Sequence, residues 1–210
     1  MVKPAINPAI RSHSQQRSKE RIGGILKAAE QILIEHGYGE LTMRRVADRV
    51  GMALGNLQYY FPTRQDLVRG LTADMCGRYQ QAVQEQAERY ATAEQRLEGV
   101  INYILDDIRK PEGSILFWDL WALSGHDPAA AEAVADLLAF EHDLIAALIR
   151  EINPAVTSKQ AKLRSATICS LMEGSTLFLG TGRSHAATPL PLRRELMTTA
   201  FDIAHRPTME

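Results

Sequence analysis

The chain has 210 residues, 45% of them hydrophobic and 23% charged, with a formal net charge of −1. That is enough apolar material for one or two domains with a sizeable core, and the near-zero charge argues against a generic polyanion binder. Charge is nevertheless divided unevenly. Residues 1–69 hold 11 Lys and Arg against 6 Asp and Glu, and residues 70–210 hold 13 against 19. A basic head on an acidic body is the footprint of nucleic-acid binding confined to one end. No signal-peptide pattern and no bilayer-length apolar run appears, so no membrane partner and a cytoplasmic location are expected. Cys76 and Cys169 stand apart with no CxxC spacing, and are expected to be structural thiols. The six histidines show no metal-ligand spacing, and there is no P-loop and no GxGxxG. No catalytic residue, metal or cofactor is expected, and the chain is not read as an enzyme.

Residues 1–16 carry Pro, Ser and Gln without helical periodicity and read as a flexible arm. Lys3, Arg11 and Arg17 either follow a phosphate backbone or belong to a solvated tail. From Arg17 to His36, Ile22, Ile25, Leu26, Ala29, Ile32 and Leu33 fall at helical spacing, and Gly37 is the expected stop. Thr42 is a good N-cap for a short helix with Val46, Ala47 and Val50 on one face. Gly51 supplies the positive φ that ends it, and Met52 plugs the turn. Ala53 to Tyr60 then forms a second short helix, with Leu57 inward. Phe61-Pro62 stops it, and Thr63 with Asp66 has capping-box spacing for the next helix.

Two short helices about a glycine turn have the spacing of a helix-turn-helix that lays its second helix in a DNA groove. The block Thr42–Leu67 resembles the DNA-binding domain of the TetR family of bacterial transcriptional regulators. Ala53, Leu54, Gly55, Asn56, Gln58 and Tyr59 are therefore expected at the groove, Gly55 permitting close approach to DNA or to a neighbouring helix. Tyr60 and Arg64 match the family positions that hold the DNA backbone. Thr42, Arg44 and Arg45 are expected to face the same strand. The sequence departs from the family at Leu33, where relatives carry Phe, and at Gln58, where they commonly carry Tyr. At Arg45 relatives carry an acid. A cation near a helix N-terminus is mildly unfavourable, and a nearby phosphate would offset it.

Beyond residue 67 every segment reads as helix. A long helix runs over 64–90, and Thr92 with Gln95 opens one to about Arg109. Pro111 and Gly113 break the pattern before an aromatic helix at 114–123. Asp127-Pro128 starts a helix to Ile152, Thr157 with Gln160 caps one to Leu179, and 180–188 is a loop before a final helix near 191–204. The fold expected is all-α: a three-helix head with a helix-turn-helix (17–69), preceded by the arm (1–16), and a larger helical ligand-binding and dimerisation domain (70–210).

The helices near 129–152 and 158–179 are candidates for a dimer interface. The first carries Val134, Leu137, Leu138, Leu144, Ile145, Leu148 and Ile149, and the second a row of small residues, Ala166, Thr167, Ser170 and Gly174. Either these faces build a four-helix bundle across two subunits, or they pack within one. The resemblance implies the dimer. Trp118 and Trp121, with Phe117, Tyr103, Met172 and Phe178 as neighbours, read as a small-molecule pocket or as core. Glu173 is the one acid in a long uncharged stretch. It either meets a cationic ligand among aromatic rings or lines an interface. The segments Leu120–Pro128 and Leu171–Gly174 loosely resemble the TetR branch that contains the choline-responsive repressor. Glu141-His142-Asp143 reads as a solvated face. The reading is of a homodimeric regulator that binds a palindromic double-stranded operator and is released by an unknown small-molecule inducer. The alternative is a ligand-independent DNA-binding structural protein that recruits a protein partner.

Overall fold

The computed structural model describes residues 8–180 and 189–207, with backbone alone at 8–15, 111–112, 115–116 and 189. The arm expected at 1–16 lies outside the described residues over 1–7. The rest corrects that expectation: α1 (Pro8–His36) begins nine residues before Arg17. Proline suits a first helical turn, no glycine interrupts the chain until Gly23, and Gln16 bonds Glu20 four residues on at 3.1 Å. Charges and polar side chains gave this extension no apolar stripe, which is why it read as coil.

The chain divides into two compact units, Met1–Asp74 and Met75–Glu210. The first holds α1, a 3₁₀ turn (Tyr38–Glu40), α2 (Met43–Arg49), α3 (Leu54–Tyr60) and the start of α4 (Arg64–Arg89). The Thr42 hydroxyl accepts from the Arg45 amide at 3.2 Å. Gly51 takes a φ of 67° between α2 and α3, a backbone conformation that a side chain would strain. Thr63 and Asp66 exchange both capping-box bonds, at 3.0 and 3.1 Å. Ile25, Ile32, Leu41, Val46, Leu57 and Leu67 are fully or almost fully buried. They join the four helices around one small core.

Arg64 is the head's internal clamp. Its Nε donates to the Leu41 carbonyl at 2.7 Å, Nη2 to the Tyr38 carbonyl at 2.9 Å and Nη1 to the Tyr38 hydroxyl at 3.1 Å. The guanidinium also lies 4.2 Å from the centre of the Tyr38 ring. These bonds satisfy the Leu41 carbonyl, for which no helix partner is available, and add a second donor to the Tyr38 carbonyl, which also accepts from the Leu41 amide at 3.2 Å.

The second unit holds the rest of α4, then α5 (Ala93–Asp107), α6 (Pro111–Ser124), α7 (Pro128–Ile152), α8 (Ser158–Leu179) and α9 (Pro189–His205). α6 starts at Pro111 rather than Ser114, because proline at the first turn opens a helix as readily as it ends the previous one. Capping boxes at Thr92–Gln95 and Thr157–Gln160 open α5 and α8, and the Asp127 side chain caps α7. The core joins Leu97, Ile101 and Leu105 of α5 to Ile145 and Ile149 of α7, Ile168 and Met172 of α8, and Ala200 and Ile203 of α9. Both cysteines are free and buried. Among the described residues, no helix is long and apolar enough to cross a membrane.

The clamp gives a direct expectation. Arg64→Ala strands the Leu41 carbonyl, leaves the Tyr38 carbonyl with the Leu41 amide alone, and lowers the stability of the head by about 1.5–3 kcal/mol. Lysine cannot reproduce the fork and restores less than half of the loss. Urea unfolding followed by the helical signal measures this, and an unchanged midpoint in Arg64→Ala removes the clamp from the account.

Candidate functional site

In α3 one side chain goes fully in, Tyr60 is partly covered, and the others stay out. Leu57 is 0% exposed, whereas Tyr59 is 82% and Leu54 40% exposed. Ala53, Gly55, Asn56 and Gln58 are exposed as well, and Tyr60 is half-buried. The Tyr59 and Tyr60 rings meet edge to face, with centroids 5.2 Å apart. A β-carbon on Gly55 would meet nothing within 4 Å. Its lack of a side chain therefore serves no helix packing inside the head. A cleft of about 300 Å³ beside α3 is lined by Arg21, Gly51, Met52, Asn56, Tyr59 and Tyr60.

The cations of the head fall into two groups. Arg45 pairs with Glu40, Arg49 with Glu35 at 2.6 Å, and Arg69 with Asp66 at 3.7 Å. The Arg49 guanidinium, bonded to Glu35, holds that carboxyl below its ordinary range. Glu40 thus offsets Arg45 within the protein itself. Arg64 is engaged with backbone, leaving two of its five N–H bonds. Arg21 and Arg44 are exposed and form no ion pair among the described residues. Arg21 was not singled out by the sequence reading. It lies thirty-two residues before Ala53, and only the α1 packing brings it to the cleft.

The seven residues expected to form a body pocket are not brought together as one group. Phe117, Trp118 and Trp121 cluster on α6, with the Phe117 centroid 5.8 Å from each indole, and Trp121 is 41% exposed. Tyr103 instead meets Tyr79 of α4 at 5.8 Å, and Lys110 lies over its ring at 5.7 Å. Met172 is core, 1% exposed, while Phe178 is 53% exposed. Six residues along a helix turn the chain through about 600°, which sets Phe178 well away from the Met172 face.

Glu173 is half-buried on α8, and a second acid joins it. Glu141 is 3% exposed, which corrects the solvated face expected for Glu141-His142-Asp143: of the three, only Asp143 is exposed. The Tyr79 hydroxyl donates towards the Glu141 carboxylate, and burial pushes that carboxyl up to about 7. Burial first and the Glu141 charge second push Glu173 up to about 8. The same two carboxylates, after burial, raise the Cys169 thiol. Glu141 follows Val134 by seven residues and precedes Ile145 and Leu148 by four and seven. That inward stripe was visible in the sequence and identifies it.

Comparison with known proteins places this geometry. Residues 25–71 match the family model described as bacterial regulatory proteins, tetR family. Over 195 residues the chain is 24% identical to the HTH-type transcriptional regulator BetI of Escherichia coli, spanning 91% of this chain and 95% of that one. A putative transcriptional regulator from Pseudomonas aeruginosa PAO1 shares the fold at a TM-score of 0.77 and 16% identity, over 90% of this chain and 92% of its own. A putative transcriptional regulator from Saccharomonospora viridis, solved in complex with choline, shares it at 0.73 and 18% identity, over 91% and 100%. The head thus carries the helix-turn-helix of the tetR-family model over residues 25–71, and nine-tenths of the chain shares its fold with solved transcriptional regulators.

Proposed function

We propose that the protein is a homodimeric repressor that reads a palindromic operator through α3 and leaves it when a small molecule binds the body. The observation that carries the DNA-reading half is the division of α3. Burial of Leu57 fixes the helix, and Asn56, Gln58 and Tyr59 stand in solvent beside a cleft edged by arginine. Asn and Gln can bond an adenine edge bidentately in the major groove. Arg21 and Arg44 are the cations ready for phosphate, with Thr42, Tyr60 and the spare N–H bonds of Arg64 as further donors. Arg45 joins them by exchanging Glu40 for a phosphate, which costs little because an exposed ion pair is worth only about 0–1 kcal/mol.

The outer face of α8 supports the dimer. Leu163 is 71%, Leu177 50% and Phe178 53% exposed, and Thr167, Ser170 and Gly174 lie between them at helical spacing. The Thr167 and Ser170 hydroxyls donate to carbonyls four residues back, at 2.9 and 2.7 Å. They need no further partner, so the face is apolar in effect and allows close approach. Most of the α7 residues first assigned to this interface, Val134, Ile145, Leu148 and Ile149, are instead core of the same subunit. Two recognition helices related by a two-fold axis read half-sites roughly 34 Å apart. A ligand that favours a conformation with another spacing releases the DNA.

Two measurements test this reading. Gln58→Ala should relax preference at one base pair per half-site in selection from random duplexes, at a cost of about 1–3 kcal/mol, whereas Arg44→Ala should weaken all sequences alike and lower the salt slope by about one. Identical selected sequences for Gln58→Ala and wild type would remove Gln58 from base reading. A β-carbon at Gly174 meets nothing within 4 Å in the protomer. Gly174→Leu should therefore leave the protomer folded yet shift light scattering towards monomer, by overpacking worth about 1–3 kcal/mol. A mutant that stays dimeric at micromolar concentration moves the interface elsewhere.

A further inference from the structure

Glu141 and Glu173 share the interior of the body with nothing basic opposite them. No Lys, Arg or His pairs with either among the described residues. The groups that bear on them are the Tyr79 hydroxyl from α4, Cys169 from α8 and, through Tyr79, Asp107 from α5. Lys110 is held by Asp107 at 3.1 Å. A third polar group adds an independent observation. The Thr176 side chain is 0% exposed, and its hydroxyl has no hydrogen-bond partner. Cys169, Glu173 and Thr176 follow one another at intervals of four and three, on one stripe of α8. A buried hydroxyl without a partner costs about 1–3 kcal/mol, and two buried like charges cannot both stay ionised without a counter-charge.

One ligand chemistry resolves all three deficits. An ammonium group with N–H bonds supplies the counter-charge and hydrogen bonds for two carboxylates and a hydroxyl. A quaternary ammonium supplies the charge but leaves the acceptors unpaired. It relies on enclosing rings, and Trp121 is too exposed to enclose one. Resting on the reading of the protein as a ligand-released repressor, we propose that Glu141, Glu173 and Thr176 form a recognition site for a primary or secondary organic amine, taken up as the ammonium in exchange for a proton. Burial favours the neutral form of both carboxyls while the site is empty, and the entering cation ionises one that is still protonated. Binding therefore releases a proton and strengthens as pH rises.

Calorimetric titration of the full chain with n-butylamine, 1,4-diaminobutane, choline and n-butanol tests this. Both amines stay protonated through the range used. Affinity for an amine should rise about tenfold between about pH 6 and pH 7. The heat should differ between phosphate and Tris by about one proton's ionisation, and choline should bind at least tenfold more weakly than the amines. Glu173→Gln should weaken the amine while leaving Glu141 as the proton source, Glu141→Gln with Glu173→Gln should abolish the proton release, and Thr176→Val, which keeps the shape of the side chain, should weaken the amine several-fold. If Glu173→Gln does not fold, the wild-type pH dependence and the choline comparison still decide. An affinity independent of pH, choline equal to the amines, or no binding of either amine at millimolar concentration overturns the proposal. Operator binding measured on the same preparation separates the two levels. If the DNA is bound and another compound releases it, the sensor stands and the amine site falls. If no operator is bound, the repressor reading itself fails.

Discussion

Burial of Leu57 is the constraint on which the proposed DNA-reading surface depends. α3 has seven residues, far too few to hold a helix in water by propensity. Its one fully buried side chain is Leu57, worth about 1.5–3 kcal/mol of apolar transfer. That anchor, with Gly51 setting the turn, fixes the rotation of the helix about its axis. Rotation decides which residues face out, so the chemistry of Asn56, Gln58 and Tyr59 is set by a leucine that never meets the ligand. Arg64 works at the same remove, tying α4 to the turn that precedes α2.

In the body the corresponding element is α8, which has two faces of opposite character. The inner face carries Ile168 and Met172 into the core, yet it also carries Cys169, Glu173 and Thr176. These polar groups lower stability unless something pairs them, and in the proposed amine site the ligand is that partner, which turns binding energy into a conformational preference. The outer face hides its hydroxyls against its own backbone and leaves leucine, phenylalanine and glycine outside. Ser165 fixes which face is which, donating to the His142 carbonyl of α7 at 2.7 Å.

Much of this was legible in the sequence, because it follows from local rules. The caps at Thr42, Thr63, Thr92, Asp127 and Thr157 and the glycine turn at residue 51 each act within four residues, and the structure has all of them. The amphipathic stripe of α1 identified its core correctly. What the sequence did not reveal depended on distant packing. Arg21 joins the α3 cleft only through the tertiary fold. Glu40 balances Arg45 across the start of α2, and the guanidinium of Arg64 turns to backbone twenty-odd residues away. In the body, grouping residues by chemistry misled. Five aromatic side chains, a methionine and an acid made a plausible pocket in the sequence, but helical phase separates Phe178 from Met172. Glu141 was hidden the other way, its neighbours His142 and Asp143 lending it the look of a solvated run. Phase counted from Val134 and Ile145 points it inward.

The central claim is that α3 and the first turn of α2 are the DNA-contacting surface. Amide hydrogen exchange of the full chain, with and without a duplex selected from random sequence, measures this most directly. Slowed exchange concentrated over residues 42–46 and 53–60 is the result expected. Unchanged exchange there, with protection confined to the body, would contradict the account.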